Sequence, residues 1–188
     1  MFAKKTASLS KPPAPQPTAP LPARPAGWAL RILTPEHVVT GYMAPIEMPL
    51  TGWLNVTTQT VVSLSAARLT VLEPYGAAAV ETLTEVSLPK ASIVAVLPAD
   101  EMSLRSAMMQ MPPNAERALI CAGPYWLHAS VRLMGGMPLR NVFGATAGDM
   151  LPISDVAVRA ARPDFNFRAD TVAAGMVNKR WIELFYAG

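Results

Sequence analysis

Charge is scarce in this chain. Lys, Arg, Asp and Glu supply 15% of its 188 residues, while 51% are hydrophobic. Globular domains ordinarily devote about a quarter of their residues to charge, so a chain this poor in it is expected to hide surface against a partner. Acidic residues are absent before Glu36, although Lys4, Lys5, Lys11 and Arg24 lie in that stretch. The net charge of +3 therefore belongs to the N-terminal segment, and the remainder is close to neutral. Nucleic-acid binders ordinarily carry positive surface on the folded domain, which weighs against that class.

Reactive side chains are equally sparse. Cys121 is the single cysteine, so no internal disulfide is available, and its surroundings read as those of a small buried hydrophobe. The two histidines, His37 and His128, have no Cys, His or carboxylate at ligand spacing; both read as strand histidines, and no metal site is expected. Gly135-Gly136 lacks the spacing of a phosphate loop, and no serine sits in a nucleophile elbow. Asp164 and Asp170 flank a turn, where carboxylates are ordinarily solvated. The sequence thus offers no catalytic residue, no cofactor site and no metal site, and an enzyme is not expected.

Long apolar runs are missing too. Nothing approaches the ~20 residues that cross a bilayer, and no apolar stretch follows Lys4 and Lys5 as a secretory leader requires. The expected location is the cytoplasm, including the cytoplasmic face of a membrane complex, with peripheral membrane association left open.

What is abundant is proline, and it is concentrated at one end. Residues 1–27 include Pro12, Pro13, Pro15, Pro17, Pro20, Pro22 and Pro25. This density prevents helix and sheet ladders and favours an extended polyproline conformation, as a spacer or as a strap across another subunit. Lys4, Lys5, Lys11, Pro12, Pro13, Pro15 and Pro17 are the candidate partner-binding residues of such a strap.

The remainder repeats itself. Sliding the chain by about 89 positions without a gap aligns Met48-Pro49-Leu50 with Met137-Pro138-Leu139. The same shift pairs Thr57 with Thr146, Ser65 with Ser154, Pro74 with Pro163 and Lys90 with Lys179, and the apolar pattern runs in phase. The expected organisation is a tail over 1–27, a first β-domain over 28–98, a linker with a short helix over 99–116, and a second β-domain over 117–188.

In the first copy, strands are expected around Val38 to Tyr42, with Gly41 allowing a bend, from Thr60 to Leu72, from Thr82 to Leu88 and from Ser92 to Leu97. Pro49 to Asn55 reads as a helical turn and Glu73-Pro74-Tyr75-Gly76 as a tight turn. The second copy repeats the order, with strands at Trp126 to Leu133, Ile153 to Ala160, Thr171 to Val177 and Trp181 to Tyr186. Asp100 is placed to cap a linker helix over Glu101 to Met111. Its methionines either pack the helix between the copies or offer an adaptable contact surface, with Met108 and Met109 the candidate partner contacts.

Gly41, Pro49-Leu50 and Leu54-Asn55 in the first copy, with Leu151-Pro152-Ile153-Ser154-Asp155-Val156 and Val177-Asn178-Lys179 before Ile182 in the second, resemble a small uncharacterised bacterial β-domain. More remotely, the order of elements is similar to the Sm-like barrel. Neither copy is complete: Ser130 stands in for Gly41, and Phe143-Gly144 for Leu54-Asn55. The resemblance implies a mainly β fold of two tandem small barrel-like domains. It also implies edge-to-edge pairing and, in many Sm-like proteins, RNA binding. The basic Lys/Arg-Gly-Asn signature of that class is missing; Pro89-Lys90-Ala91 and Asn178-Lys179-Arg180 take its place.

The leading expectation is a non-catalytic structural subunit that docks with protein partners in a larger complex through its β-domain surfaces and the proline strap. An RNA-binding Sm-like protein is the alternative.

Overall fold

The computed structural model describes residues 25–74, 80–109, 111–145, 148–165, 167 and 170–187. The candidate strap residues Lys4, Lys5, Lys11, Pro12, Pro13, Pro15 and Pro17 lie outside the described residues, as do Tyr75 and Gly76 of the expected turn.

Among the described residues the chain is mainly β, with ten antiparallel strands in one open sheet. The first copy supplies β1 (Trp28–Leu33), β2 (His37–Met43), β3 (Val61–Val71), β4 (Val80–Pro89) and β5 (Ala95–Pro98). The second supplies β6 (Asn114–Ala122), β7 (Tyr125–Leu133), β8 (Met150–Ala160), β9 (Asp170–Asn178) and β10 (Ile182–Ala187). Three short helices join them: α1 (Leu50–Leu54), α2 (Glu101–Met108) and α3 (Val142–Ala145). Across the sheet the strands run β10-β6-β7-β8-β9-β5-β1-β2-β3-β4. Each copy therefore has the same internal order, β5-β1-β2-β3-β4 in the first and β10-β6-β7-β8-β9 in the second.

The repeat read in the sequence is also a repeat of structure. The shift that aligns the residues carries β3 onto β8 end to end, and the last residue of β4, Pro89, onto the last of β9, Asn178. A single 3₁₀ turn follows in each copy, Lys90–Ser92 and Lys179–Trp181. Both are anchored alike: Lys90 N–H donates to Thr60 O and Lys179 N–H to Asp149 O, each at 2.8 Å.

The bend expected at Gly41 is a β-bulge, and both copies have it. The β2–β3 register slips between Thr40 and Tyr42, and the β7–β8 register between His128 and Ser130, so the bulge places Ala129, not the expected Ser130, in the position of Gly41. Opposite these breaks Ala66 (φ 46°) and Asp155 (φ 52°) hold left-handed backbone at equivalent positions. A Cβ on Gly41 would lie 3.0 Å from Leu64 Cβ and 3.1 Å from Ser65 O, so the first copy uses glycine where its strands close most tightly. A left-handed L-residue costs about 1–2 kcal/mol, partly offset because glycine loses more entropy on folding. Ala66→Gly is accordingly expected to stabilise the protein by up to about 1 kcal/mol in denaturant titration. A lowered midpoint would contradict the strain assigned to this bulge.

Two strands go beyond the sequence reading. β1 precedes the first expected strand and β6 precedes its counterpart, each forming a hairpin with the strand that follows. Alternation was present in both, since Trp28, Leu30 and Ile32 of β1 and Ala118, Ile120 and Ala122 of β6 are buried. Thr34 closes the first hairpin, its N–H donating to His37 O at 2.9 Å and its Oγ1 accepting from His37 N–H at 2.9 Å.

Two hydrophobic clusters form the core, and each borrows from the other copy. One is built on Leu30, Ile32, Leu50, Val62 and Leu64 and includes Met150 and Met176 of the second copy. The other is built on Ile120, Leu127, Val131 and Ile153 and includes Leu33, Val94, Ala95 and Leu97 of the first. Strand β5 serves both because successive side chains of a strand point to opposite faces. Each large side chain buried this way contributes roughly 1.5–3 kcal/mol.

Helix α2 lies between the copies in sequence and begins as expected at Asp100, whose Oδ1 accepts from Ser103 N–H at 2.8 Å in a reciprocal capping box. It ends at Met108 rather than Met111. Ser103, Ser106 and Ala107 form its buried side, where Ser103 Oγ donates to Ala29 O (2.9 Å) and Ser106 Oγ accepts from Leu50 N–H (3.1 Å).

Candidate docking surfaces

The copies meet where β9 pairs antiparallel with β5, Ala95 opposite Val177 and Val96 opposite Met176. Such a short ladder needs support, and two asparagines supply it from opposite sides. Asn178, 1% exposed at the end of β9, donates through Nδ2 to Ile93 O (2.9 Å) and Lys90 O (3.2 Å) of the first copy. Its Oδ1 accepts from Arg180 N–H at 3.0 Å, and its own N–H donates to Val94 O at 2.8 Å. Asn55, just after α1, reaches the other way: Oδ1 accepts from Met150 N–H (2.9 Å) while Nδ2 donates to Met150 O (3.0 Å) and Thr51 O (3.2 Å). Every amide group of both side chains is thereby used, as burial demands.

Further contacts cross the same joint. Tyr125, fully buried at the start of β7, donates its hydroxyl to Thr34 O at 2.9 Å. Its ring meets Phe167 edge to face at 5.3 Å between centroids. Trp181 Nε1 donates to Ala91 O at 2.9 Å, and Arg31 of β1 pairs with Asp170 of β9. Glycine opens the space these contacts need. A Cβ on Gly148 (φ +83°) would fall 2.3 Å from Asn55 Oδ1, and one on Gly175 would fall 3.2 Å from Val96 O.

Beside the joint lies a cleft of ≈ 470 Å³ lined in part by Asn55, Lys90, Asp149, Asn178, Lys179 and Arg180. Lys90 Nζ donates to Trp53 O and Val56 O, both at 3.1 Å, and sits 4.6 Å from the centre of the Trp53 ring. It thus closes the carbonyl end of α1, and its burial pushes its pKa down. Lys179 Nζ donates to Phe143 O at 3.4 Å, and Arg180 pairs with Asp149 at 3.0 Å.

Among the described residues, the same strand types that meet at the joint stand unpaired at the two ends of the sheet. β4, counterpart of β9, is one edge; β10, counterpart of β5, is the other. On β10, Leu184 and Tyr186 are 55% and 65% exposed, whereas Ala95 and Val96 of β5 are fully buried. β4 presents Val80, which is exposed, and half-buried Val86 and Leu88. An unpaired row of backbone donors and acceptors with apolar side chains along it is a template for another strand.

A second surface surrounds the start of the described chain. A groove of ≈ 880 Å³ runs between the Pro45–Pro49 loop and α2, bordered by Pro25, Trp28, Met48, Met102 and Met109. Met108 and Met109 are 46% and 74% exposed at the end of α2, so the packing face of that helix is its small residues and the methionines point outward.

The remaining sequence candidates are dispersed. His128 Nε2 lies 2.6 Å from Arg159 Nη2 across the β7–β8 pair. Asp164 bonds Arg162, whose side chain holds its carboxyl below the usual range, while Asp170 faces Arg31. Among the described residues, no three His, Cys, Asp or Glu side chains gather at metal-binding distance, and no helix is long and apolar enough to cross a membrane.

Cys121 is half-buried on β6 rather than fully enclosed. Burial first, and then the nearby Glu183 charge, push its thiol pKa up. Because the thiolate is the nucleophile, Cys121 is expected to react with iodoacetamide at neutral pH more slowly than free cysteine, and faster once the chain is unfolded in urea. Equal rates would contradict that environment.

Comparison with protein-family models, curated proteins and solved structures finds no match for this chain. Its functional reading therefore rests on the joint and the edges themselves.

Proposed function

We propose that this protein is a non-catalytic structural subunit that docks in a larger protein assembly through the edges of its sheet, with the proline-rich segment as an additional strap. In this reading each copy is a small barrel-like unit of Sm-like type, and the chain is a tandem of two. The observation that carries the reading is the joint. One β-unit already binds another here by strand addition, and among the described residues both outer edges present the same strand types unpaired. Main-chain hydrogen bonds supply affinity in such a mode, and alternate side chains supply selectivity. Sparse charge and exposed Leu184 and Tyr186 support it, since apolar edges gain most from being covered.

The test is isolation of the full chain at native abundance, before and after Leu184→Lys. Lysine on an edge strand disfavours strand addition while leaving an exposed position exposed. The expected result is a complex well above the single-chain mass of 20.1 kDa that the substitution weakens by roughly tenfold or more, about 1.4 kcal/mol. A lone 20.1 kDa species would overturn the proposal. Removal of residues 1–26 is expected to weaken the association without unfolding the sheet.

RNA binding is the second reading, and the cleft that gathers Lys90, Lys179 and Arg180 beside the joint favours it. Each of these cations is already engaged by a carbonyl or a carboxylate, so a phosphate would have to displace an existing contact. A salt-dependent mobility shift with single-stranded RNA would support this reading over the first.

A further inference from the structure

The internal joint specifies more than a docking mode; it specifies a register and hence a partner. We infer that β10 of one molecule pairs antiparallel with β4 of a second copy of this chain, in the register that joins β5 to β9 within one molecule. The inference rests on the edge-docking reading above and names the occupant of those edges.

The structural repeat carries it. Within the molecule Ala95 stands opposite Val177 and Val96 opposite Met176. The shift that superposes the copies turns Ala95 and Val96 into Leu184 and Phe185, and Val177 and Met176 into Leu88 and Ser87. Transferred outward, the register sets Leu184 opposite Leu88 and, two residues along, Tyr186 opposite Val86. These pairs lie on one face, so the most exposed apolar side chains of β10 meet the apolar side chains of β4. Charge does not oppose the pairing. Glu183 falls opposite Pro89, and Glu85 opposite Ala187, so no two carboxylates face each other. Neither edge is guarded by lysine, and the one proline of the two strands, Pro89, stands at the very end of β4.

One difference sets the strength of the contact. The asparagines that brace the internal joint, Asn55 and Asn178, have Gly144 and Pro89 as counterparts. Pro89 also lacks the N–H that Asn178 donates to Val94 O. The outer joint thus has the ladder and the apolar pairs without the side-chain braces, which makes it a reversible contact between molecules. Because each molecule carries one β4 edge and one β10 edge, the contact is head-to-tail and builds a ring or an open chain of copies.

The test uses the pure full-length protein. Leu88→Cys and Leu184→Cys are made separately in a Cys121→Ser background, since Cys121 stands opposite Leu184 on β6. Directly opposed strand positions bring Cβ atoms to about 4.5–5.5 Å, close enough to bridge with slight adjustment. Under diamide oxidation, the mixture of the two variants is expected to give a covalent dimer at twice the 20.1 kDa chain mass, about tenfold above either variant alone. In parallel, light scattering of the unmodified chain is expected to show a mass that rises with concentration, and Leu184→Lys is expected to hold it at the single-chain value. A mixture that yields no bridge while the chain stays monomeric overturns the inference. So does bridging as strong in one variant alone as in the mixture, because that reports like edges meeting. A pure chain that remains monomeric, although the natively isolated chain sits in a complex sensitive to Leu184→Lys, overturns self-pairing and leaves edge docking to another protein standing.

Discussion

Asn178→Ala is expected to destabilise the protein by about 2–4 kcal/mol, because the substitution strips hydrogen bonds from two carbonyls and one N–H beside the joint. A buried acceptor left without its donor loses the full benefit of solvation, about 1–3 kcal/mol, and water has poor access to Ile93 O beneath a residue only 1% exposed. For a chain of this length the thermal midpoint should fall by roughly 5–15 °C. Asn178→Asp makes a sharper control. It keeps the shape and the acceptor for Arg180 N–H but turns a second oxygen toward Lys90 O and Ile93 O, so it should cost at least as much as alanine. A change below about 0.5 kcal/mol in either variant would mean that the asparagine does not brace the joint.

Tyr125→Ala should be still more costly, about 3–5 kcal/mol, the range for removing a large buried aromatic side chain. The ring packs against Phe167 and the hydroxyl holds the β1–β2 turn at Thr34 O. Tyr125→Phe separates the two contributions: it keeps the ring and should cost about 1 kcal/mol for the lost hydrogen bond. Equilibrium denaturation of both variants checks the ratio, and equal losses would assign the whole effect to the hydroxyl. Burial raises the phenol pKa well above its ordinary 10.0. A weak acid whose folded-state pKa is raised binds more protons folded than unfolded at alkaline pH. The contribution of Tyr125 is therefore undiminished below the unfolded pKa near 10 and declines as pH climbs beyond it. Tyr125→Phe should remove that part of the alkaline decline.

The divergence of the two copies follows from the geometry of the joint. Asn55 of the first copy and Asn178 of the second both reach across the joint, in opposite directions. Their counterparts, Gly144 and Pro89, have no side-chain amide with which to do so. What looks in the sequence like each copy losing a different part of a shared pattern is, in the structure, one joint keeping its polar braces on both sides.

Much of this fold was legible because strand alternation, turn residues and helix caps are local signals. β3, β8, α1 and the Asp100 cap follow from residues a few positions apart, and the duplication follows from their recurrence. β1 and β6 escaped although Leu30, Ile32, Ala118 and Ile120 alternate as strand residues should, because each merges into its hairpin partner across a short turn. The joint was not legible at all. β5 and β9 are far apart in the chain, and nothing near Ala95 announces Val177 as its neighbour. Locally Asn178 is only the residue that caps a 3₁₀ turn, and its contacts with Lys90 O and Ile93 O emerge only when the copies are assembled. Met108 and Met109 were legible as an adaptable surface or as packing; their side chains face outward because Ser103, Ser106 and Ala107 fill the space against the sheet.

Docking through the sheet edges requires that β4 and β10 be covered when the protein is at work. Backbone hydrogen exchange measures that cover directly, by comparing the assembly isolated at native abundance with the dilute single chain. The amides of Val80–Leu88 and Ile182–Ala187 should gain roughly tenfold or greater protection in the assembly, while those of β2, already paired on both sides, should change little. An intact assembly in which both edges exchange as fast as in the free chain would contradict edge docking.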